Sequence, residues 1–147
     1  MMLKVIRQAT NEDIHEVVAF LTKAGLSTEG IKHSIDCFLV VEDEENRLIG
    51  TLGIEVQGKI GLIRSLVVTS SFESEELFAL FQEILKLAKE KDLKRLYLIS
   101  NRKASLAFFD LLGFQQEADP IVDELENFIH AKKLSTVDNC ITMKLDL

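Results

Sequence analysis

The spacing of apolar residues changes several times along the chain. Apolar positions recur at helical intervals from Ile14 to Leu21 and again across residues 77–88. Across residues 38–68, by contrast, three runs rich in Val, Ile and Leu are separated by the short turn sequences EENR and QGK. Helical spacing predicts amphipathic helices, whereas β-branched runs joined by short turns predict antiparallel strands. The chain therefore combines helices with a sheet.

The first predicted helix has signals at both of its ends. It follows a short strand, KVIRQ at residues 4–8, and Thr10 and Asp13 have the spacing of a capping box. Gly25 stands where a left-handed residue commonly ends a helix. These local signals predict a strand and then a helix at the beginning of the chain.

The second half of the chain alternates between helices and strands. The amphipathic helix over residues 77–88 is followed by the apolar strand RLYLIS, and a strand, helix and strand in succession predict a right-handed crossover with a parallel pair. A helix closed by Gly113 and a strand around FQQEA come next. Asp119 and Pro120 have the order of a helix cap and first turn, which predicts a helix to about Lys133. CITMKLDL closes the chain as a strand, so we predict one α/β domain with a mixed sheet.

Length and composition are those of a globular protein. The 147 residues fit a single domain, residues 1–147, and 47% of them are hydrophobic and 28% charged. The apolar runs are far shorter than the roughly 18 to 20 residues of a membrane span. The start MMLKVIRQAT also lacks the apolar stretch of a signal peptide. We therefore expect a cytoplasmic location and no membrane partner.

Charge and metal-binding residue types exclude two further classes of function. A net charge of −7 argues against a nucleic-acid surface, which needs clustered Lys and Arg. Cys37 and Cys140 lie far apart in apolar runs without CxxC spacing, and the three histidines do not form an HxxxH pair. We expect buried free thiols, no metal centre and no nucleic-acid partner.

Four segments carry a resemblance to a known family. They are LIRSLVV at 62–68 with the helix after it, RLYLISN at 95–101 and AFFDLLGF at 107–114. With them, essentially the whole chain resembles the GNAT superfamily of acetyl-CoA-dependent N-acetyltransferases. The resemblance implies one α/β GNAT domain: a mixed, mostly antiparallel sheet of about seven strands, four to five helices, and splayed strands 4 and 5. DPIVDELENF at 119–128 is similar to the C-terminal part of small amino-acid and arsenic-resistance N-acetyltransferases.

The resemblance implies a reaction in which an amine attacks the thioester of acetyl-CoA. Backbone groups of Leu66, Val67 and Val68 would bind the pantetheine arm, and the amide of Val67 or Val68 would stabilise the oxyanion. An ordinary buried strand is the alternative. Glu55 is the first candidate for the general base and Glu42 the second, reached directly or through a water molecule. The alternative for both glutamates is a solvent-facing position on a strand.

Two further positions follow from the resemblance. Asn101 stands where the family often has an asparagine that contacts the cofactor's arm, although it could equally cap the next helix. Phe109 stands where many members have a tyrosine that protonates the leaving thiolate. A phenyl ring has no proton to give, so the thiolate would leave unaided or take a proton from water.

The loop after the fourth strand departs from the family's pattern. In the family it reads Arg or Gln, two residues, Gly, one residue, then Gly or Ala, and here the three positions hold Glu73, Glu76 and Phe78. A carboxylate about 5 Å from a phosphate charge repels it by about 3 kcal/mol at an effective dielectric constant near 20. We therefore predict a degenerate phosphate loop with weakened or altered cofactor binding, formed by the cofactor-binding candidates Glu73, Ser74, Glu75, Glu76, Leu77 and Phe78.

Three possibilities remain open at this level. The first is an N-acetyltransferase that uses acetyl-CoA and acts on a small, possibly amino-acid-like amine. The alternative is a catalytically inactive binding or interaction module that keeps the GNAT fold, because Phe109 and the missing loop glycines both remove family features. A different acyl carrier is a third possibility, and a homodimer is compatible with each of them.

Overall fold

Short turns between β-branched runs produce the strands, and the amphipathic stripes produce the helices. The computed structural model describes residues 4–117, 123–134 and 140–147. The strands in those ranges are β1 Val5–Gln8, β2 Phe38–Glu42, β3 Leu48–Gln57, β4 Ile60–Val68, β5 Arg95–Ser100, β6 Gln115–Gln116 and β7 Ile141–Asp146. The α-helices are α1 Ile14–Lys23, α2 Ile31–Ser34, α3 Ser74–Glu90, α4 Leu106–Leu111 and α5 Ile129–Leu134. The predicted mixed α/β class is confirmed.

The chain is organised in two compact units. The first consists of Met1–Ile54 with Ser65–Leu87, and the second of Glu55–Arg64 with Ala88–Leu147. In the first unit the strand order is β1-β2-β3-β4, and in the second it is β4-β5-β7-β6. Over the described ranges the sheet thus has seven strands and is mostly antiparallel, as predicted, while the single domain over residues 1–147 stays a prediction.

The core of the first unit is formed by α1, α2 and one face of its strands. Within the sheet, Val40 of β2 lies opposite Thr51 of β3, and Phe38 lies opposite Gly53. A Cβ atom on Gly53 would lie 2.5 Å from the Phe38 ring, so this contact requires a glycine. The buried residues of this cluster, called the first core below, are Ala9, Val17, Leu21, Ile31, Ile35, Phe38 and Val40.

The start of α1 confirms the predicted capping box. A 3-10 turn over Asn11–Asp13 precedes the helix, and the Thr10 N–H donates to the Asp13 carboxylate over 2.7 Å. Gly25 has a φ of +77°, which confirms the left-handed residue expected at the end of the helix. Arg7 forms two 2.8 Å hydrogen bonds with the same Asp13 carboxylate and so joins β1 to the helix start.

The second unit contains the parallel pair. Ile60–Leu62 of β4 pair in parallel with Arg95–Tyr97 of β5, which confirms the predicted parallel pair. Among the described residues this ladder ends at Leu62, although β5 continues to Ser100 with β7 as its partner. An early end to the pairing agrees with the splayed strands that the resemblance implies. The buried residues of this unit's cluster are Leu62, Tyr97, Leu125, Phe128 and Ala131.

The helix predicted from Asp119 to Lys133 is wrong as one continuous element. Asp119 and Pro120 lie outside the described residues, and the described part is a 3-10 turn at Asp123–Leu125 followed by the separate helix α5. The Phe128 N–H bonds back to the Leu125 carbonyl over 3.0 Å, which closes the turn before α5 begins. None of the described helices is long and apolar enough to cross a membrane.

Candidate functional site

The distal part of β4 has an unusual backbone at Ser65. Its φ is +58°, a left-handed value that is uncommon for a residue other than glycine. The hydroxyl of Thr51, a fully buried residue of β3, donates to the Ser65 carbonyl over 2.9 Å. A left-handed residue of this kind interrupts the alternation of a strand and redirects the residues after it. The Thr51 hydroxyl therefore holds the backbone of Ser65, the residue from which the last residues of β4 are redirected.

Those last residues are the predicted pantetheine-binding positions. Leu66 is 37% exposed, an unusual level for a leucine in a strand, while Val67 packs against the first core and Val68 is half-buried. The next residue, Thr69, donates its N–H to the Ile49 carbonyl over 3.0 Å and so keeps this end of β4 on β3. The proposed cofactor contacts of Leu66, Val67 and Val68 stay predictions.

The loop between β4 and α3 is held by contacts of its own. The Phe72 N–H donates to the Thr69 carbonyl over 3.2 Å, and the hydroxyls of Thr69 and Ser71 are 2.8 Å apart. The Phe72 ring packs over Gly50 of β3, where a Cβ atom would lie 3.0 Å from the ring. The loop itself lacks glycine, but its Phe72 ring packs closely against a glycine in the neighbouring strand.

Glu76, which replaces a family glycine, has two partners. Its Oε1 accepts the Glu73 N–H over 2.9 Å, and its Oε2 accepts the Lys4 ammonium over 2.5 Å. Lys4, followed by the Glu73 amide, lowers the pKa of the Glu76 carboxyl. The Lys4 Nζ also lies 3.3 Å from the Ser71 carbonyl oxygen and 5.4 Å from the centroid of the Phe72 ring. The negative charge of Glu76 is thus paired with Lys4, a residue that precedes β1.

The first turn of α3 retains backbone donors. The first hydrogen bond within the helix runs from the Leu77 N–H to the Glu73 carbonyl over 3.0 Å. The N–H groups of Ser74, Glu75 and Glu76 precede it and have no acceptor inside the helix. Together with the helix dipole, such groups attract anions. Of the predicted loop positions, Glu73, Ser74 and Glu75 are exposed, whereas Glu76, Leu77 and Phe78 are half-buried.

Glu55, the first candidate for the general base, caps a helix. Its side chain is only 11% exposed, so the solvent-facing alternative is wrong for this residue. The carboxylate accepts the N–H groups of Ile129 and His130 over 3.0 and 3.1 Å, and His130 Nδ1 lies 2.8 Å from Oε1. Both oxygens are engaged at the start of α5. The role of Glu55 as a base stays a prediction. Its role as a cap of α5 is shown by the structure.

Glu42, the second candidate, belongs to an ion-pair cluster in the first unit. Its carboxylate accepts the Arg7 Nε–H over 2.6 Å, and its side chain is 20% exposed. Arg7 also bonds Asp13, and the guanidinium lowers the pKa of the Asp13 carboxyl to about 2. Glu42 is therefore paired with a cation, and its role as a base stays a prediction.

Asn101 and Phe109 lie in the second unit. Asn101 is exposed, and the cap positions of the following turns are Arg102 and Ser105, so the helix-cap alternative for Asn101 is wrong. The reason is local: the Arg102 N–H bonds to the Ser100 hydroxyl over 3.1 Å, which places the start of the next turn one residue later. Contacts of Asn101 and Phe109 with the cofactor stay predictions.

Phe109 is part of an aromatic cluster. Its ring centroid lies 5.4 Å from that of Phe108 and 6.2 Å from that of Phe114, both in edge-on geometry. The chain's single tyrosine, Tyr97, is buried and donates its hydroxyl to Glu124. Burial, followed by the bond to Glu124, raises the pKa of Tyr97 to about 12. Tyr97 is thus committed to a structural bond and cannot replace the acid missing at Phe109.

The sequence did not indicate Lys4, Thr51 or His130. Lys4 contacts Glu76 across 72 positions, and His130 contacts Glu55 across 75. Contacts over such separations leave no mark in local spacing. A positive φ at Ser65 is equally invisible, because serine carries no preference for it, and the role of the Thr51 hydroxyl depends on that geometry.

Comparison with known proteins gives a consistent result. The model of the acetyltransferase (GNAT) family matches residues 7–114. A protein of Bacillus subtilis (strain 168) named "Uncharacterized protein YwlB" is 32% identical over 144 residues, which is 97% of each chain.

Two solved structures show the same fold. N-acetylglutamate synthase from Neisseria gonorrhoeae, complexed with coenzyme A and N-acetyl-glutamate, matches 99% of this chain with a TM-score of 0.72 and 23% identity. This chain spans only 35% of the synthase. Rv2747 from Mycobacterium tuberculosis, in complex with CoA and NLQ, has a TM-score of 0.73 and 18% identity, over 97% of this chain and 99% of that one.

Proposed function

Since the chain belongs to the acetyltransferase (GNAT) family, we propose that it transfers an acetyl group from acetyl-CoA to the amine of a small, amino-acid-like molecule. The choice of acyl donor is supported by the CoA complexes of its structural neighbours. The choice of acceptor is supported by the N-acetyl-glutamate in the synthase complex and by the resemblance of residues 119–128 to amino-acid acetyltransferases.

One observation carries this proposal: the course of the chain from Ser65 to α3. Ser65 is left-handed and held by Thr51, and the strand residues after it lead through a closed loop to the free N–H groups of the first turn of α3. Main-chain donors can bind a pantetheine arm and a diphosphate without any particular side chain. This part of the binding machinery therefore tolerates the loss of the family's loop residues.

The roles follow from that arrangement. When bound, acetyl-CoA supplies the activated acyl group as a thioester. The main chain of Leu66–Val68 holds the pantetheine arm, and the N–H of Val67 or Val68 donates to the oxygen on which negative charge develops. The N–H groups of Ser74–Glu76 receive the diphosphate. Phe109 contributes only its ring surface, so the thiolate leaves without a proton from this position.

Binding is proposed to be weaker than with a glycine-rich loop. Glu73 and Glu75 remain exposed beside the first turn of α3, and the Phe78 ring occupies a position where the family has Gly or Ala. Acidic side chains near a diphosphate are repulsive, although their exposure to water reduces the effect. The removal of a proton from the amine is assigned to Glu55, directly or through a water molecule.

The test is a calorimetric titration with acetyl-CoA on the wild-type protein and on Glu76→Gly/Phe78→Ala. We expect weak binding by the wild type and at least tenfold tighter binding by the double variant, because the backbone becomes accessible to the diphosphate. Circular dichroism of the variant checks that its fold persists. An amine panel, amino acids included, then tests for thiol release that depends on the amine. If neither the wild type nor the double variant binds acetyl-CoA or releases thiol, the proposal is contradicted.

The second candidate function is a binding module without catalysis. It is favoured by Phe109, which cannot act as an acid, and by the absence of glycine from the loop. It predicts no thermal stabilisation at millimolar acetyl-CoA, whereas a bound ligand stabilises in proportion to the logarithm of its concentration. Stabilisation that increases in this way favours the enzyme.

A further inference from the structure

Glu76 raises a problem for a loop that receives a diphosphate. An unpaired carboxylate within about 5 Å of a phosphate lowers its affinity by roughly a hundredfold at an effective dielectric constant near 20. In the folded protein, however, the Glu76 Oε2 lies 2.5 Å from the Lys4 ammonium. Lys4 lies before β1, 72 positions away in sequence, and the fold brings it to the loop.

We infer that Lys4 is a charge-compensating and positioning residue for acetyl-CoA, which makes the acidic loop compatible with the cofactor's diphosphate. The inference rests on the proposed function and adds a residue to it. Lys4 pairs with Glu76, and Glu76 in turn occupies the Glu73 N–H just before α3. The donors of the first helical turn, at Ser74–Glu76, stay available to the ligand.

The electrostatic part of this role follows from distance. Lys4 and Glu76 carry opposite charges 2.5 Å apart, so at a phosphate several ångströms away their effects largely cancel. Removal of Lys4 alone leaves an uncompensated negative charge. Removal of the charge of Glu76 alone leaves an uncompensated positive one, which attracts the diphosphate. The two substitutions are thus expected to change affinity in opposite directions.

The positioning part follows from the contacts of the ammonium. The Lys4 side chain is only 11% exposed, and its Nζ reaches Glu76, the Ser71 carbonyl and the face of the Phe72 ring. These contacts fix a long, flexible side chain in one place beside the loop. An arginine could keep the charge and most of the contacts, whereas a glutamine keeps only length and polarity.

The experiment is a double-mutant cycle on acetyl-CoA binding. Wild type, Lys4→Gln, Glu76→Gln and the double variant are titrated calorimetrically in about 50 mM and about 500 mM salt. At low salt we expect binding about tenfold weaker in Lys4→Gln, several-fold tighter in Glu76→Gln, and within about threefold of wild type in the double variant. At high salt these differences shrink, which a purely structural effect would not do.

Two controls accompany the cycle. Lys23→Gln makes the same charge change at an exposed position in the last turn of α1 and is expected to leave affinity unchanged. Lys4→Arg is expected to bind within about threefold of wild type, because the charge is kept. Urea unfolding of each variant shows whether the protein is folded. If Lys4→Gln does not fold, the tighter binding expected of Glu76→Gln still tests the inference.

The possible failures are distinguishable. If the wild type binds acetyl-CoA and neither Lys4→Gln nor Glu76→Gln changes the affinity, the inference is overturned and the proposed function stays in place. A double variant that stays about tenfold weaker than wild type would overturn it as well, since the loss caused by removing Lys4 would then not be offset by removing the charge of Glu76. No binding by any of the four proteins would overturn the inference together with the proposed function.

Discussion

Helices α3 and α5 both begin beside a glutamate carboxylate, but the two carboxylates come from different parts of the chain. Glu76 belongs to α3 itself and accepts the N–H of Glu73, the residue before the helix. Glu55 belongs to β3 and accepts the N–H groups of Ile129 and His130, the first two residues of α5. The Glu76 carboxylate leaves the N–H groups of the first turn of α3 unbonded, whereas the Glu55 carboxylate accepts the first two N–H groups of α5.

This difference separates a helix start whose first-turn donors have no acceptor in the helix from one whose donors bind a carboxylate of the fold. At α3, the N–H groups of Ser74–Glu76 lack acceptors within the helix, and the Glu76 carboxylate is paired with Lys4. At α5, a carboxylate that is 11% exposed neutralises the helix start and ties the segment Asp123–Leu134 to β3. A carboxylate at a helix start therefore does not by itself indicate whether an anion can bind there.

The largest effect is expected at α5. Glu55→Gln removes a charged acceptor of three hydrogen bonds, and we expect it to lower the free energy of unfolding by about 2 to 3 kcal/mol. Urea unfolding measures this change. The matched control is Glu75→Gln, an exposed acid in the first turn of α3, for which less than about 0.5 kcal/mol is expected.

The same variant bears on Glu55 as a base. If Glu55 removes the proton from the amine, kcat in Glu55→Gln falls by roughly a hundredfold even where the variant is fully folded. If Glu55 only caps α5, kcat measured well below the unfolding temperature stays within a few-fold of wild type. Equal stabilities of Glu55→Gln and Glu75→Gln would contradict the comparison of the two helix starts.

The second effect concerns the strand that leads to α3. Thr51→Val keeps the shape of the side chain but removes the donor to the Ser65 carbonyl. We expect a loss of about 1 to 2 kcal/mol in stability, because a left-handed serine loses the bond that holds it. Acetyl-CoA affinity is expected to fall about fivefold as the end of β4 relaxes. Thr51→Ser, which keeps the hydroxyl, is the control, and equal affinities of the two variants would contradict this role.

The smallest effect is expected at α1, where the cap is local and paired with an arginine. Arg7 and the Thr10 amide hold the pKa of Asp13 at about 2, below its value of about 3.9 in an unfolded chain. A lowered pKa stabilises the fold above pH 4, and this contribution is lost as pH falls from about 4 to about 2. We expect Asp13→Asn to be about 1 kcal/mol less stable than wild type near pH 6, after allowance for screening by solvent.

Urea unfolding across this range measures the Asp13 contribution. The difference between wild type and Asp13→Asn should shrink as the pH falls towards 2 and disappear below it, because the wild-type carboxyl becomes protonated in that range. Glu12→Gln, at an exposed neighbouring acid, is the control and should show no such convergence. A difference that stays constant with pH would show that Asp13 acts through packing rather than charge.

The sequence predicted what depends on neighbouring residues. The turns between β2, β3 and β4, the capping box of Thr10 and Asp13, and the left-handed Gly25 and Gly113 all appear as expected, because each is specified within a few positions. The break before α5 was not predicted, since the carboxylate that starts this helix comes from Glu55, 74 positions earlier. The cap signal of Asp119 and Pro120 alone favours one continuous helix to about Lys133.

The candidate site divides in the same way. The positions of Leu66–Val68 and of the loop could be proposed from the family resemblance, because that resemblance lies in a strand, a loop and a helix that follow each other directly; their role stays a prediction. The contacts around these positions could not be predicted, because the Lys4–Glu76 pair and the Thr51–Ser65 bond form only when distant parts of the chain come together. The predicted repulsion by Glu76 omitted its partner for this reason.

The bond between the buried Tyr97 and Glu124 has a spectroscopic consequence. The chain contains one tyrosine and no tryptophan, so Tyr97 is the dominant source of its ultraviolet fluorescence. A carboxylate that accepts a phenol's hydrogen bond quenches emission, and the native protein should be dim. Emission should increase when the second unit unfolds. The first unit contains neither tyrosine nor tryptophan, so its unfolding should not contribute to this signal. The protein therefore carries a built-in optical reporter for one of its two units, which needs no added label.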